Sequence, residues 1–163
     1  MANKNNRMEE QGQRTPRSLD VYQDKDGVKG TAYCACGAVF RNKRWIQESS
    51  GAARQEGQSI VCPACHRISD QNPAGIISLS GDFYIAHEDE INNLVNNTAQ
   101  ASAAKNPLGR VMDIKKEQGG VTITTTDVKL AQKIGRVVFK AHGGELHYTW
   151  SHAGPPVRVT WSR

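Results

Sequence analysis

The sequence predicts an α+β protein: an N-terminal zinc ribbon or treble clef built on four cysteines, followed by a small α/β domain of ββαββ order. A ferredoxin-like βαββαβ plan is the extended form of that domain. Three observations carry this reading. Four cysteines fall in two close pairs, an amphipathic stretch spans 126–143, and short alternating segments flank that stretch on both sides. With 163 residues, 37% of them apolar and 6% aromatic, the chain fills only a thin core, enough for one modest domain or two small ones. Four regions follow: a disordered tail at 1–20, a zinc-binding module at 21–73, a strand and connecting helix at 74–106, and the ββαββ domain at 107–163.

The tail is predicted from MANKNNRMEEQGQRTPRS, which mixes charges and holds almost no apolar residues to offset the entropy of ordering. That start lacks the apolar stretch expected of a secretory signal, and no apolar run nears the roughly 18 residues of a membrane span. A cytoplasmic protein is expected. In a reducing compartment, two close cysteine pairs point to metal more than to disulfides.

Cys34 and Cys36 form a C-x-C, Cys62 and Cys65 a C-x-x-C, and residues 37–61 separate the pairs, which suits two knuckles closing on one tetrahedral zinc ion. Residues two apart in an extended segment share a face, so even the short pair can aim both thiolates at one ion. Four thiolates leave zinc no open position, so the site is structural. An iron–sulfur cluster or a redox pair is the alternative. His66 abuts Cys65, but four sulfurs already complete the shell.

Between the pairs, VFRNKRWIQ alternates as a strand, SSG and EGQ mark an exposed loop, and SIVC returns as a strand. Arg41, Lys43 and Arg44 place cations there, where they can meet phosphates. Trp45 beside them either stacks on a base or, the favoured reading, fills the small core beside zinc.

PAGIISLSG reads as a buried strand, and HEDEINNLVNNTAQASAAKN as a helix with Ile91, Leu94, Val95 and Thr98 on one stripe. Its Glu88, Asp89 and Glu90 suit the positive end of the helix dipole better than catalysis. LGRVMDIKKEQ and VTITTT form a hairpin around Gly119-Gly120. The next helix is capped by Thr126, opens its first turn with Asp127, carries an apolar stripe of Leu130, Ile134, Val137, Val138 and Ala141, and ends at an αL Gly143. ELHYTW and VRVTW then alternate, with Leu146, Tyr148, Trp150, Val157, Val159 and Trp161 inward.

Net charge is +5, and residues 121–163 hold six Lys and Arg against two Asp and Glu. A basic block of this kind fits a polyanionic partner. Within it, Lys129, Lys133, Arg136 and Lys140 recur at i, i+4, i+7 and i+11, a cationic stripe about 100° around the helix from the apolar one. A solvated face usually mixes Glu with Lys, so an all-cation stripe points to phosphate contact. Arg158 and His147 extend the cationic surface in this reading. The strands lack the aromatic pattern of an RNA-recognition module, which favours backbone or shape recognition over base reading.

The C-x-C-G, the CPAC-x-R-I-x-D-x-x-P-A-G-x-I-x-L-x-G run, HEDEINNLV, PLGRVMDI and TTTDVKLAQKIGR with GGEL together resemble small uncharacterised bacterial proteins related to the N-terminal part of the Nmd-three family. That family comprises the export adaptor of the large ribosomal subunit and its archaeal homologues. The resemblance covers roughly residues 31–163. It implies a zinc-bearing module working on the ribosome or structured RNA, with Cys34, Cys36, Cys62 and Cys65 as ligands and nothing catalytic. No histidine pair sits at H-x-x-x-H spacing, and P-loop, G-x-S-x-G and G-x-G-x-x-G motifs are missing. The expected function is therefore a zinc-containing, non-catalytic accessory protein that binds the ribosome, a ribosomal protein or structured RNA, without a membrane or a small-molecule substrate. A zinc protein-interaction or transcription-associated module is the alternative.

Overall fold

Every second residue of Gly75–Ser80 is buried, as are Val121, Ile123 and Thr125 in the strand beside it and Val157, Val159 and Trp161 on its other side. This period-2 pattern gives one inner face and one outer face, and the inner face is where two helices pack. The computed structural model describes residues 6–12, 22, 28–48, 57–152 and 154–163. Its strands are β1 (Arg7–Gln11), β2 (Ala32–Tyr33), β3 (Ala38–Arg41), β4 (Arg44–Gln47), β5 (Gln58–Ser59), β6 (Gly75–Ser80), β7 (Val111–Glu117), β8 (Gly120–Thr125), β9 (Glu145–Thr149) and β10 (Val157–Ser162). The helices are α1 (Pro63–Asp70), α2 (Asp82–Ala86), α3 (Glu88–Lys105) and α4 (Val128–His142). Two mixed sheets result, β1-β9-β10-β6-β8-β7 and β4-β3-β2-β5.

The larger sheet holds the main core, in which Ile77, Leu79, Ile123, Leu146, Val159 and Trp161 meet Ile91 and Val95 of α3 and Leu130, Ile134 and Val138 of α4. The ββαββ order after residue 107 is as the sequence predicts, and β6 with α3 extends it. A βαββαβ plan ends on one strand, whereas this chain turns back after α4 as the β9–β10 hairpin. Its last strand lies parallel to β6 and antiparallel to β9. The alternating Val157, Val159 and Trp161 explain that central position, since all three bury against the helices.

Several local expectations are corrected. Residues 7–11, inside the stretch predicted to be a disordered tail, form β1 and pair in parallel with β9 from Arg7↔Glu145 to Gln11↔Thr149. The rest of that stretch lies outside the described residues, apart from Asn6 and Gly12. The β7–β8 turn is Gln118-Gly119, because Glu117 pairs with Gly120 and only Gly119 needs positive φ. On α4, Ala131 and Gly135 are buried in place of the predicted Val137 and Ala141. At Gly135 a β-carbon would run into Val159 and Leu146, so the helix lies close on the sheet. Asp127, not Thr126, is its N-cap and accepts from the Leu130 N–H. Gly143 ends α4 with φ 69° but ψ −146°, which is not the αL stop. The segment after Cys62 is the helix α1, where a second knuckle was expected.

Candidate metal centre

The first cysteine pair sits in the turn between β2 and β3. The Gly37 N–H donates to Cys34 O at 3.0 Å and the Cys34 N–H to Ala38 O at 2.8 Å, which folds C-A-C-G into a tight knuckle. The second pair sits at the start of α1. Cys62 is the N-cap, with extended φ/ψ and its sulfur accepting from the Cys65 N–H at 3.4 Å, and Pro63 opens the helix. Proline suits that position because its missing N–H would find no helical partner there. The helix ends at Gln71 in the αL conformation, just before Asn72-Pro73. The β3–β4 hairpin between the pairs contributes Ala38 and half-buried Trp45 to a small core with Cys34, Cys62, Ala64 and Leu108. Trp45 is thus a packing residue, with its ring edge-on to Phe40 at 5.4 Å.

All four sulfurs lie within 4.8 Å of one another, Cys34 to Cys65 at 3.7 Å and Cys36 to Cys62 at 3.8 Å. Four sulfurs at about 2.3 Å from a central zinc ion, at the corners of a tetrahedron, are separated by about 3.8 Å. The donor set and spacing therefore fit one Zn2+. They do not fit disulfides, whose sulfurs are about 2.0 Å apart. Cys34 and Cys62 are buried, Cys65 half-buried and Cys36 exposed.

The surroundings are built for negative charge. The Cys62 N–H donates to Cys34 Sγ at 3.3 Å. Arg110, from the loop between α3 and β7, donates through Nη2 to Cys62 Sγ at 3.4 Å and Cys65 Sγ at 3.3 Å. Burial disfavours its charge, but the sulfurs of Cys65, Cys36 and Cys62 more than compensate and hold the guanidinium above its ordinary value. Burial also opposes ionisation at Cys34, yet the N–H groups of Cys36 and Cys62 and the neighbouring thiols outweigh it and bring the thiol down to about 7. Burial pushes Cys36 up and Cys62 strongly up, with backbone N–H groups only partly offsetting it. Sequence patterns do not reveal Arg110. A lone arginine in PLGRV carries no spacing signal, and its role depends on a contact 45 residues away in the chain.

The cations picked out from sequence fall on three separate surfaces. Arg41, Lys43 and Arg44 occupy the β3–β4 turn, where Asn42 (φ 52°) and Lys43 (φ 63°) adopt the positive φ of a tight hairpin. Lys43 and Arg44 are exposed, whereas Arg41 is paired with Glu48 at 2.9 Å. Lys129, Lys133, Arg136 and Lys140 are all exposed on α4 and, with Gln132 and Val137, line one open groove of about 550 Å³. Among the described residues none of the four meets a carboxylate. Lys133 donates to Ser102 of α3 at 3.3 Å.

Arg158 does not join that stripe. It pairs across the sheet with Ile76 and Thr149, on the outer face opposite to α4. His147 lies on the same outer face, between Glu9 (3.1 Å) and Glu145 (3.6 Å), so it adds no cationic surface beside α4. The acidic cluster of α3 lies in its first turn as predicted, with Glu88 bound to Lys116 at 2.6 Å. Among the described residues no helix is long and apolar enough to cross a membrane. No known protein family, curated protein or solved structure matches the chain.

Proposed function

We propose that this is a non-catalytic, zinc-containing cytoplasmic protein that binds structured RNA, with the ribosome as the favoured setting and a ribosomal protein as a neighbour there. The observation that carries this reading is the groove along α4, where four exposed cations stand in line and, among the described residues, no acid lines it. Over eleven residues of helix the stripe runs about 16 Å. Four cations on a rigid rod of that length suit the regular charge of a phosphate backbone better than a small anion. Among the described residues no exposed aromatic ring for base stacking lines the groove, which favours backbone or shape recognition. The zinc module, with its knuckle, hairpin and ligand-bearing helix, follows the treble-clef outline more closely than the ribbon. Four thiolates around zinc leave no position for water, which supports a structural role.

Lys43 adds weight. Its φ of 63° is where glycine fits at least cost, yet the chain places a lysine there and displays a cation at the hairpin tip. The resemblance to relatives of the Nmd-three family points in the same direction. Sedimentation of tagged protein from lysate on a sucrose gradient, with and without ribonuclease, tests the reading. Co-migration with ribosomes or RNA that collapses on ribonuclease treatment is expected; migration as free protein in both gradients contradicts it. Exposed Val61 and Ile68 on the zinc module favour the second reading, a protein-interaction module, which predicts a ribonuclease-resistant complex.

A further inference from the structure

Arg110 is tied at both ends. Its side chain reaches Cys62 and Cys65 at 3.4 and 3.3 Å, while its Nε is buried with no hydrogen-bond partner among the described residues. Among the described residues no carboxylate pairs with it, so the sulfurs are the anionic groups holding this charge. Its backbone is locked to Thr126: the Arg110 N–H donates to Thr126 Oγ1 at 2.9 Å and the Thr126 N–H to Arg110 O at 2.9 Å. The Thr126 hydroxyl donates in turn to Leu108 O at 2.6 Å, and Leu108 packs on the small core around the cysteines. Thr126 precedes Asp127, whose carboxylate caps the Leu130 N–H of α4. A contiguous chain of charge-assisted and backbone hydrogen bonds thus runs from the thiolates to the first turn of the cationic helix.

We propose that Arg110 couples the metal centre to α4, so that loss of the metal loosens the base of the cationic helix. Zinc with four thiolates carries a net charge of −2, and one guanidinium brings the centre to −1. A partly buried guanidinium is stable only while that anionic array is fixed in place. When the metal leaves, Arg110 loses its anchor, and the Arg110–Thr126 pairing that sets the start of α4 loses support. The coupling stands on these contacts alone. Its consequence for binding, a stripe that presents its cations in line only in the metal-loaded protein, rests on the RNA reading above.

Hydrogen exchange of the full chain, zinc-loaded and after chelation, tests this. The amides of Arg110, Thr126 and Leu130 should exchange about five- to tenfold faster without metal, the scale of losing one cap or hydrogen bond. Ile77 in the middle of β6 should not change. Arg110→Gln, with metal saturation checked by the absorption of a cobalt-substituted sample, should abolish most of this metal dependence. Thr126→Val, which leaves every sulfur contact in place, should do the same and serves if the Arg110 variant does not fold. Equal exchange with and without zinc in the parent overturns the proposal, as does a response that survives in both variants. Affinity for a short oligouridylate, measured on the same samples, separates the two readings. If exchange responds to metal while the stripe variant with four glutamines binds RNA like the parent, the coupling is supported and the RNA reading fails.

Discussion

Replacing Cys62 by serine removes a buried sulfur that accepts from the Cys65 N–H and from Arg110, whereas replacing Cys36 removes an exposed sulfur that Arg110 does not touch. Structural zinc sites in small folds bind with roughly 10–16 kcal/mol at neutral pH, so an equal share for one of four ligands is about 2.5–4 kcal/mol. Either variant should therefore lose zinc affinity by roughly a hundred- to a thousandfold. Cys62→Ser should lose about ten- to a hundredfold more, because a hydrogen bond from a charged donor to the sulfur is worth about 1.5–3 kcal/mol. Serine is itself a good N-cap, so α1 keeps its cap and the difference reports the metal centre and not the helix. Competition against a chromophoric chelator, with elemental analysis of the purified proteins, measures both. Cys62→Ser retaining a full zinc equivalent under competition, or Cys36→Ser proving the more damaging, would refute the assignment.

Three further outcomes are expected. Gly135→Ala should destabilise the protein by about 1–3 kcal/mol in denaturant unfolding, although alanine is the better helix former, because its methyl group meets Val159 and Leu146; a gain in stability would show that the α4–sheet packing is loose. Lys43→Gly should raise stability by about 1 kcal/mol by relieving the positive φ, and should weaken RNA binding; unchanged melting and unchanged binding together would remove the hairpin tip from the account. Zinc binding should strengthen as pH rises, since the metal displaces protons from the thiols. The raised Cys36 and Cys62 each give up a proton on binding throughout the neutral range, whereas Cys34, at about 7, gives one up only below that pH. The dependence of log affinity on pH should thus become shallower by about one proton between about pH 6 and 8, and a constant slope would contradict the lowered Cys34.

What can be read from residue patterns is whatever repeats at the period of its own element. Val157, Val159 and Trp161 alternate, Leu130, Ile134 and Val138 recur at helical spacing, and both sets are buried where the pattern places them. The four cysteines are legible because a C-x-C and a C-x-x-C are characteristic spacings of thiolate metal ligands. The helix α1 is not: PACHRISD is too short for a periodic stripe, and its cap is a cysteine sulfur in place of the usual oxygen. Strand β1 escapes for a different reason. RMEEQ buries no apolar side chain, and its place comes from backbone pairing with β9, helped by Trp150 Nε1 donating to Glu10 at 2.6 Å. Edge pairing of that kind leaves no hydrophobic signature.

Topology explains the remaining differences in the candidate site. Arg158 and the α4 stripe are both basic and lie within 30 residues of each other in sequence, but the pleat sends Arg158 to the outer face. A strand order that inserts β10 beside β6 sets which residues share a surface, and local patterns do not reveal strand order. Arg110 is the same problem at shorter range. It lies 45 and 48 residues from the sulfurs it touches, and only the docking of the loop after α3 against the zinc module brings them together.

The most direct test of the account is the salt dependence of RNA binding in the variant with Lys129, Lys133, Arg136 and Lys140 all changed to glutamine. If each contacts one phosphate, the slope of log affinity against log salt should flatten by about 2.8 on single strands and about 3.6 on a duplex-like site. Folding should be unchanged, because the four side chains are exposed and glutamine is nearly as good a helix former. Binding should therefore fall sharply at low salt and respond much less to added salt than that of the parent. A folded variant that binds with the parent's affinity and the parent's slope would show that the stripe is a solvated face and that the RNA reading is wrong.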